Sequence, residues 1–442
     1  MNTLLLKNAT IVTQNDARDV VRGDIYIENG MIAEIGKVAH GAETVVDCSG
    51  KIVIPGLIQT HVHLIQTLFR NQADDMSLID WLTKRIYLLE AAHTPESVYW
   101  SGMLTCAEMI SGGTTTVVDM GTVLHEGRSF EALRDSGMRG YSGKMLMDRD
   151  GSAPDGLIKD KDAVLKETLS LMGRWHMHDN GRLRYLFAPR FSLSCTDGLL
   201  KEIARLSSRH NILVHTHASE NKEEVRQVLQ RTGLGNIEYL DSMGLVGHNV
   251  LLAHCIWAKN RELSILQNRG ATVLHCPLAN LKLASGIAPV PAMLDMGINV
   301  TLGSDGAPCN NTINMFNEMR AAALLHKATT YDPTVVAAQQ VFDMATRNAA
   351  RALGRIGELG VIAPGACADL AVVSTSGAHM NPHSNPIPML VYCAQASDVE
   401  MTIVGGNIVY DMGFTELDEE MIMSESSRHC ESIMDDIEQH IR

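Results

Sequence analysis

Apolar and polar positions along the chain change rhythm twice. The first 55 residues alternate with period two in short runs, TLLLKNATIV, GDIYIENGMIAEIG and TVVDCSGKIVIPG, broken by Asn-Gly and Ser-Gly turn signals. Asn29-Gly30 between two apolar runs predicts a tight hairpin. A similar texture returns after about residue 360 in ADLAVVST and MTIVGGNIVYD. The middle reads differently. GLIQTHVH, GTTTVVDMG, MRGYSGKML, RLRYLFAPR, NILVHTH, VLLAHC, ATVLHCP and NVTLGSD are eight strand candidates. Helix-patterned stretches such as TPESVYWSGMLTCAEMISG and DGLLKEIARLSSRH lie between most of them. Strand–helix repetition over about 250 residues is the size and rhythm of a (β/α)8 barrel. The expected architecture is therefore α/β: a TIM-like (β/α)8 barrel over 56–360, with a small β-sandwich domain built from both chain ends, 1–55 and 361–442. The acidic tail from Thr415 carries Ile433, Met434, Ile437 and Ile441 at helical spacing, which predicts a docked surface helix.

Composition narrows the function classes. The chain has 442 residues, 45% hydrophobic and 20% charged, with a net charge of −14. Such an acidic balance supplies no excess of Lys or Arg for phosphates, so neither nucleic acid nor an anionic membrane is an expected partner. No run of about 18 apolar residues predicts a membrane span. The N-terminal MNTLLLKNATIVTQN lacks the layout of a secretory signal. Nine scattered cysteines without a CxxC pair fit buried thiols in a reducing cytoplasm.

The candidate chemistry sits where the strand candidates end. His61 and His63 are two apart on a strand, so their side chains share a face. Near the C-terminal end of a barrel strand that face is the mouth, where active sites are built. An imidazole pair suits zinc and similar divalent ions. In VHTHASE, His217 is a candidate ligand, His215 a buried neighbour, and Glu220 a proton carrier just past the strand end. A salt-bridged helix-start glutamate and two core histidines fit that segment equally well. His254 in LLAHC is a candidate electrophile, while His275 in VLHC reads as structural. Asp305 in TLGSDG is an acid at the end of an apolar strand, costly to bury unless paired or bound to metal. Other chemistries lack their letters. Pro308-Cys309 is followed by Asn310, Asn311 and Thr312, so the PCxxC of the cytidine-deaminase zinc site is missing, and HExxH, GxGxxG and GxxxxGK[ST] do not occur.

Together these segments resemble the amidohydrolase superfamily, most closely the branch that deaminates 5'-deoxyadenosine, methylthioadenosine and S-adenosylhomocysteine. The resemblance runs nearly the full length. It rests on VIPGLIQTHVH, GTTTVVD, HTHASE, LAHC, HCPLANLKLASGIAPVPAML, LGSDGAPCNN with NMFNEMRAAALLHK, and ELGVIAPGACADLAVV. It implies one divalent ion, zinc first with iron or manganese as alternatives, held by His61, His63, His217 and Asp305. A mononuclear site is implied because the fourth strand carries Arg190 where dinuclear relatives place a lysine. Glu220, His254 and Asp305 would then be catalytic. The resemblance also implies a ribose contact from Trp81 and Glu90, nine residues apart in WLTKRIYLLE, with Lys144 and Arg190 standing where those relatives have an arginine and a histidine. Arg190 in a Pro-Arg-Phe context also resembles guanine deaminases. The expected substrate is a small heterocycle, a 5'-modified adenosine. Guanine, or a triazine or pterin with an amino or chloro leaving group, is the alternative, and a barrel that binds without catalysis is disfavoured because all the ligands are present. Members of the superfamily often form homo-oligomers, and Thr67–Tyr87 is where a cover over the site is expected.

Overall fold

The computed structural model describes residues 3–149 and 153–441. Its strands begin with β1 (Thr3–Val12), β2 (Val20–Glu28), β3 (Met31–Gly36), β4 (Thr44–Asp47) and β5 (Lys51–Pro55). β2 and β3 form the expected hairpin, with Asn29 at φ 52° and Gly30 at φ 79°. Those two left-handed residues are what a two-residue turn of matching twist requires.

The barrel strands follow: β6 (Leu57–Val62), β7 (Thr114–Asp119), β8 (Arg139–Ser142) with its short continuation β9 (Met145–Leu146), β10 (Leu183–Tyr185) with its continuation β11 (Ala188–Pro189), β12 (Val214–Ala218), β13 (Val250–His254), β14 (Thr272–His275) and β15 (Asn299–Leu302). All neighbouring pairs are parallel. The ring closes at two seams. Phe187 N–H donates to Leu213 O at 2.9 Å and His215 N–H to Phe187 O at 2.8 Å, joining the β10 side to β12. Asp305 N–H donates to His61 O at 3.0 Å, joining the chain after β15 to β6. The eight expected strand segments are thus the eight staves.

The helices between them begin where their sequences say. Thr94 caps Pro95–Ser111 through Ser97, with proline in the first turn, and Thr196 caps Asp197–His210, which ends on left-handed Asn211. Buried faces of both point at the strands, as in any barrel whose helices form an outer ring.

After the barrel come β16 (Leu370–Ser374), β17 (Val399–Val404) and β18 (Asn407–Asp411). β16 pairs antiparallel with β5, so both chain ends share one eight-stranded sheet in the order β18-β17-β16-β5-β1-β2-β3, with β4 beside β1. Leu6, Ile11, Ile25, Ile27, Val53, Leu370 and Ile403 form its apolar core. The tail is a helix, Glu419–Ile441, packed on Pro95–Ser111 and on the segment after β6. Of the contacts expected from it, Ile433 is buried, Met434 and Ile437 are half-buried, and the side chain of Ile441 lies outside the described residues. Among the described residues no helix is long and apolar enough to cross a membrane.

Candidate active site

The C-terminal ends of β6, β12, β13 and β15 converge on one buried cluster. His61 is the fifth residue of β6 and His63 follows that strand directly, so the pleat turns both inward. His217 comes from β12, and Asp305 lies three residues beyond β15. One ligand atom from each of these four lies within 4.8 Å of every other. His61 Nε2 and His63 Nε2 stand 3.4 and 3.3 Å from Asp305 Oδ1.

Hydrogen bonds on the far side of two of the three rings, His61 and His217, aim these ligands. His61 Nδ1 pairs with His215 Nε2 at 2.7 Å, which gives His215 the neighbouring role expected of it. His217 Nδ1 donates to Arg190 O at 2.7 Å, leaving Nε2 for the cluster. Fixing one ring nitrogen this way sets which nitrogen faces a metal. His61 Nε2 is buried without a hydrogen-bond partner among the described residues, which is costly for a polar atom and natural for a metal ligand. Three imidazoles and one carboxylate are a donor set suited to a divalent ion such as zinc. The residues fit the ion that the sequence implies.

Two further groups reach the same point. Glu220 is buried at the end of β12, and its Oε2 lies 3.8 Å from His254 Nε2. His254 Nε2 is also 3.8 Å from Asp305 Oδ2, while its Nδ1 pairs with Asn280 Oδ1 at 2.9 Å. Burial pushes the Glu220 carboxyl up to about 7, against the pull of His254. Burial works to lower the His254 imidazole, but the carboxylates of Glu220 and Asp305 outweigh it and the value rises. Burial would raise Asp305 too, yet His61 and His63 hold it well below the usual carboxylate range. The site thus separates one carboxyl that holds a proton near neutrality from one that stays ionised. Ser219, His254, Cys255 and Asp305 all have left-handed backbone, with φ of 52°, 71°, 48° and 65°. Such conformations cost about 1–3 kcal/mol each and collect where a function over-determines the backbone.

Above the cluster is a narrow cavity of about 30 Å3, lined by His63, His217, Glu220 and Asp305 on one side and by Leu78, Ile79, Trp81 and Leu82 on the other. The segment covering it falls within the span expected to form a cover. Trp81 and Arg190 line the cavity.

Two substrate-contact expectations are corrected. Lys144 does not reach the cavity. It is fully buried, its ammonium donates to Val123 O, and it lies 3.1 Å from Glu167 Oε2. The break between β8 and β9 at Gly143-Lys144 interrupts strand alternation and turns this side chain toward the helix Lys161–Trp175. Glu90 sits one layer behind the cavity wall. Arg190 Nη1 and Nη2 donate to its two oxygens at 2.6 and 3.2 Å, and Gln66 Nε2 donates at 2.9 Å. The Arg190 guanidinium also lies 4.8 Å from the Tyr87 ring centre. Gln66 and Asn280 are site residues the sequence reading passed over. Each is a lone amide in an apolar segment, and that is the signal that marks them.

Comparison with known proteins bears on this geometry. The amidohydrolase family profile matches residues 52–409. A 5'-deoxyadenosine deaminase of Methanosarcina mazei is 38% identical over 442 residues, covering 98% of this chain and 99% of its own. A 5-methylthioadenosine/S-adenosylhomocysteine deaminase of Syntrophobacter fumaroxidans is 41% identical over 414 residues, covering 92% and 93%. Among solved structures, a zinc-bound adenosine deaminase of Xanthomonas campestris has a TM-score of 0.91 at 28% identity, over 98% of both chains. A barrel carrying this His/His/His/Asp cluster at its mouth, matched along most of its length, belongs to the amidohydrolase family.

Proposed function

We propose that the chain hydrolytically deaminates a 5'-modified adenosine, namely 5'-deoxyadenosine, methylthioadenosine or S-adenosylhomocysteine, to the inosine analogue and ammonia. The observation that carries this reading is the placement of Glu220 and His254, 3.8 Å apart beside the four-ligand cluster, in a chain with near full-length relatives named for those deaminations.

His61, His63, His217 and Asp305 would hold one divalent ion, zinc first among the alternatives, as in the zinc-bound structural relative. When bound, such an ion lowers the pKa of a water from about 16 to about 7. Glu220 is placed to take a proton from the attacking water and to deliver one to the ring nitrogen beside the amine carbon. His254, oriented by Asn280, stabilises charge that develops as the water oxygen bonds to that carbon. The C–N bond then breaks, and the amine leaves as ammonia with the second proton relayed by Asp305 and Glu220. Trp81 and Arg190 face the substrate, and Glu90 with Gln66 holds the Arg190 guanidinium in its plane.

The same proposal divides the chain into a barrel over 56–360 and a sandwich-like β domain from 1–55 and 361–442, supported by the β5–β16 pairing. It places the enzyme in a reducing cytoplasm, where nine free thiols are stable, as a homo-oligomer acting in nucleoside salvage.

The test is ammonia release by metal-loaded protein on 5'-deoxyadenosine, methylthioadenosine, S-adenosylhomocysteine, adenosine and guanine. Selective turnover of the 5'-modified adenosines is expected. Turnover of guanine alone would replace this reading with a purine-base deaminase in which Arg190 meets the base carbonyl.

A further inference from the structure

The cover of the cavity, residues 64–91, contains no strand of its own. Leu64–Phe69 forms a 3-10 turn, Leu78–Trp81 a single α-turn, and Leu82–Ile86 a π-turn that runs into Tyr87–Ala91. Short irregular helices such as these hold their shape by packing, because each supplies few hydrogen bonds of its own. The C-terminal helix Glu419–Ile441 packs against the first and the last of them, Leu64–Phe69 and Tyr87–Ala91, and the barrel helix Pro95–Ser111 packs against the first as well.

The C-terminal helix has one continuous buried stripe, Ile422, Ser426, His429 and Ile433, continued by half-buried Cys430, Met434 and Ile437. The spacing of three and four residues is that of a single helix face. The stripe has two halves. Ile422 packs with Met103 and Ala107 on the barrel helix Pro95–Ser111, and Ser426 Oγ donates to Trp100 O at 3.2 Å. Ile433 instead belongs to an apolar cluster that takes in Leu68, Phe69, Leu78, Trp81 and Leu89 of the cover together with Cys276 and Leu283 beyond β14. Cys430 Sγ donates to Leu68 O at 3.0 Å. One half is anchored to the barrel, and the other shares an apolar cluster with Leu78 and Trp81, which line the cavity beside Ile79 and Leu82.

We propose that Ile433 is a positioning residue for substrate binding: through it the C-terminal helix clamps the cover, and so sets how tightly the cavity closes on its ligand. It touches no reacting atom. Its kinetic consequence rests on the deaminase reading, whereas its structural consequence does not, and the test separates the two.

The test compares Ile433→Ala and the graded Ile433→Val with Met423→Ala, which lies on the exposed face of the same helix. Hydrogen exchange is measured in the full-length, metal-loaded protein. Faster exchange over residues 64–91, with the barrel strands unchanged, is expected for Ile433→Ala, a smaller change for Ile433→Val and none for Met423→Ala. On 5'-deoxyadenosine the expected signature is a KM raised about tenfold with kcat within about twofold, since a loosened cover loses binding common to ground and transition states. Unchanged exchange over 64–91 in Ile433→Ala would overturn the clamp whatever the substrate proves to be. Faster exchange with an unchanged KM would overturn the control of ligand binding. Should Ile433→Ala fail to fold, Ile433→Val carries the same two readouts at smaller amplitude, and its indistinguishability from wild type would overturn the proposal.

Discussion

Replacing Glu220 with glutamine keeps the shape of the side chain and removes its ability to take a proton. The account expects kcat to fall by about 10² to 10⁴-fold with the bound metal unchanged by elemental analysis, because Glu220 is not among the four clustered ligands. A variant keeping a tenth of the activity would remove Glu220 from the proton path. Alternation along a strand and position at its end marked His61, His63, His217 and Asp305 as candidates, while the set of four as one metal site was implied only by the family resemblance. The expectation for Lys144 came from the resemblance, which sets it where relatives have an arginine. Alternation fails at the break between β8 and β9, and the ammonium finds Glu167 on a helix instead. The Glu90–Arg190 pair could not be read at all, since 100 residues separate its partners and only the closed barrel brings them to 2.6 Å. Left-handed backbone at His254 and Asp305 leaves no letter behind, as neither residue is a glycine.

The elements depend on two close approaches. A Cβ at Gly303 would lie 2.7 Å from His61 Cβ and 2.9 Å from His61 N and O, so β15 can meet β6 only with a glycine there. Gly303→Ala is expected to cost about 1–3 kcal/mol as overpacking, and to weaken metal binding as well, because it parts the two strands that carry His61 and Asp305. Calorimetric unfolding and zinc titration measure both; a variant with native zinc affinity would show that the seam tolerates the extra atom. The second approach joins the barrel to the mixed sheet. Arg139 at the start of β8 donates from Nε and Nη2 to Asp369 at 2.7 and 3.0 Å, and both residues are buried. Removing one partner, as in Asp369→Ala, leaves a buried unpaired charge and is expected to cost about 3–5 kcal/mol, read as a lowered denaturation midpoint. A loss below about 1 kcal/mol would mean that water replaces the carboxylate. Strand existence was plain from eight apolar runs, and the β2–β3 hairpin from its Asn-Gly turn. That β5 and β16 pair was only an expectation, because pairing between distant segments leaves no local pattern.

At the scale of the whole molecule, stability should depend on pH through a buried acid outside the ligand cluster. Glu318 is fully buried, and although Asn310 and Leu278 donate to it, loss of hydration pushes its carboxyl up to about 8. The folded chain therefore keeps a proton that the unfolded chain gives up near its ordinary 4.5. This group's contribution is full below about 4.5 and declines as pH rises through about 8, the opposite of a salt-bridged carboxylate. Glu318→Gln should flatten that decline in urea midpoints measured between pH 5 and 8.5, and an unchanged slope would assign the effect elsewhere. The central claim is larger: four ligands hold one ion, and that ion with Glu220 and His254 deaminates a 5'-modified adenosine. Titrating metal-free protein with zinc while following ammonia release from 5'-deoxyadenosine tests all of it at once. The account predicts activity that climbs linearly and saturates at one zinc per chain. Saturation at two, or a fully loaded protein that releases no ammonia from any 5'-modified adenosine, would contradict it.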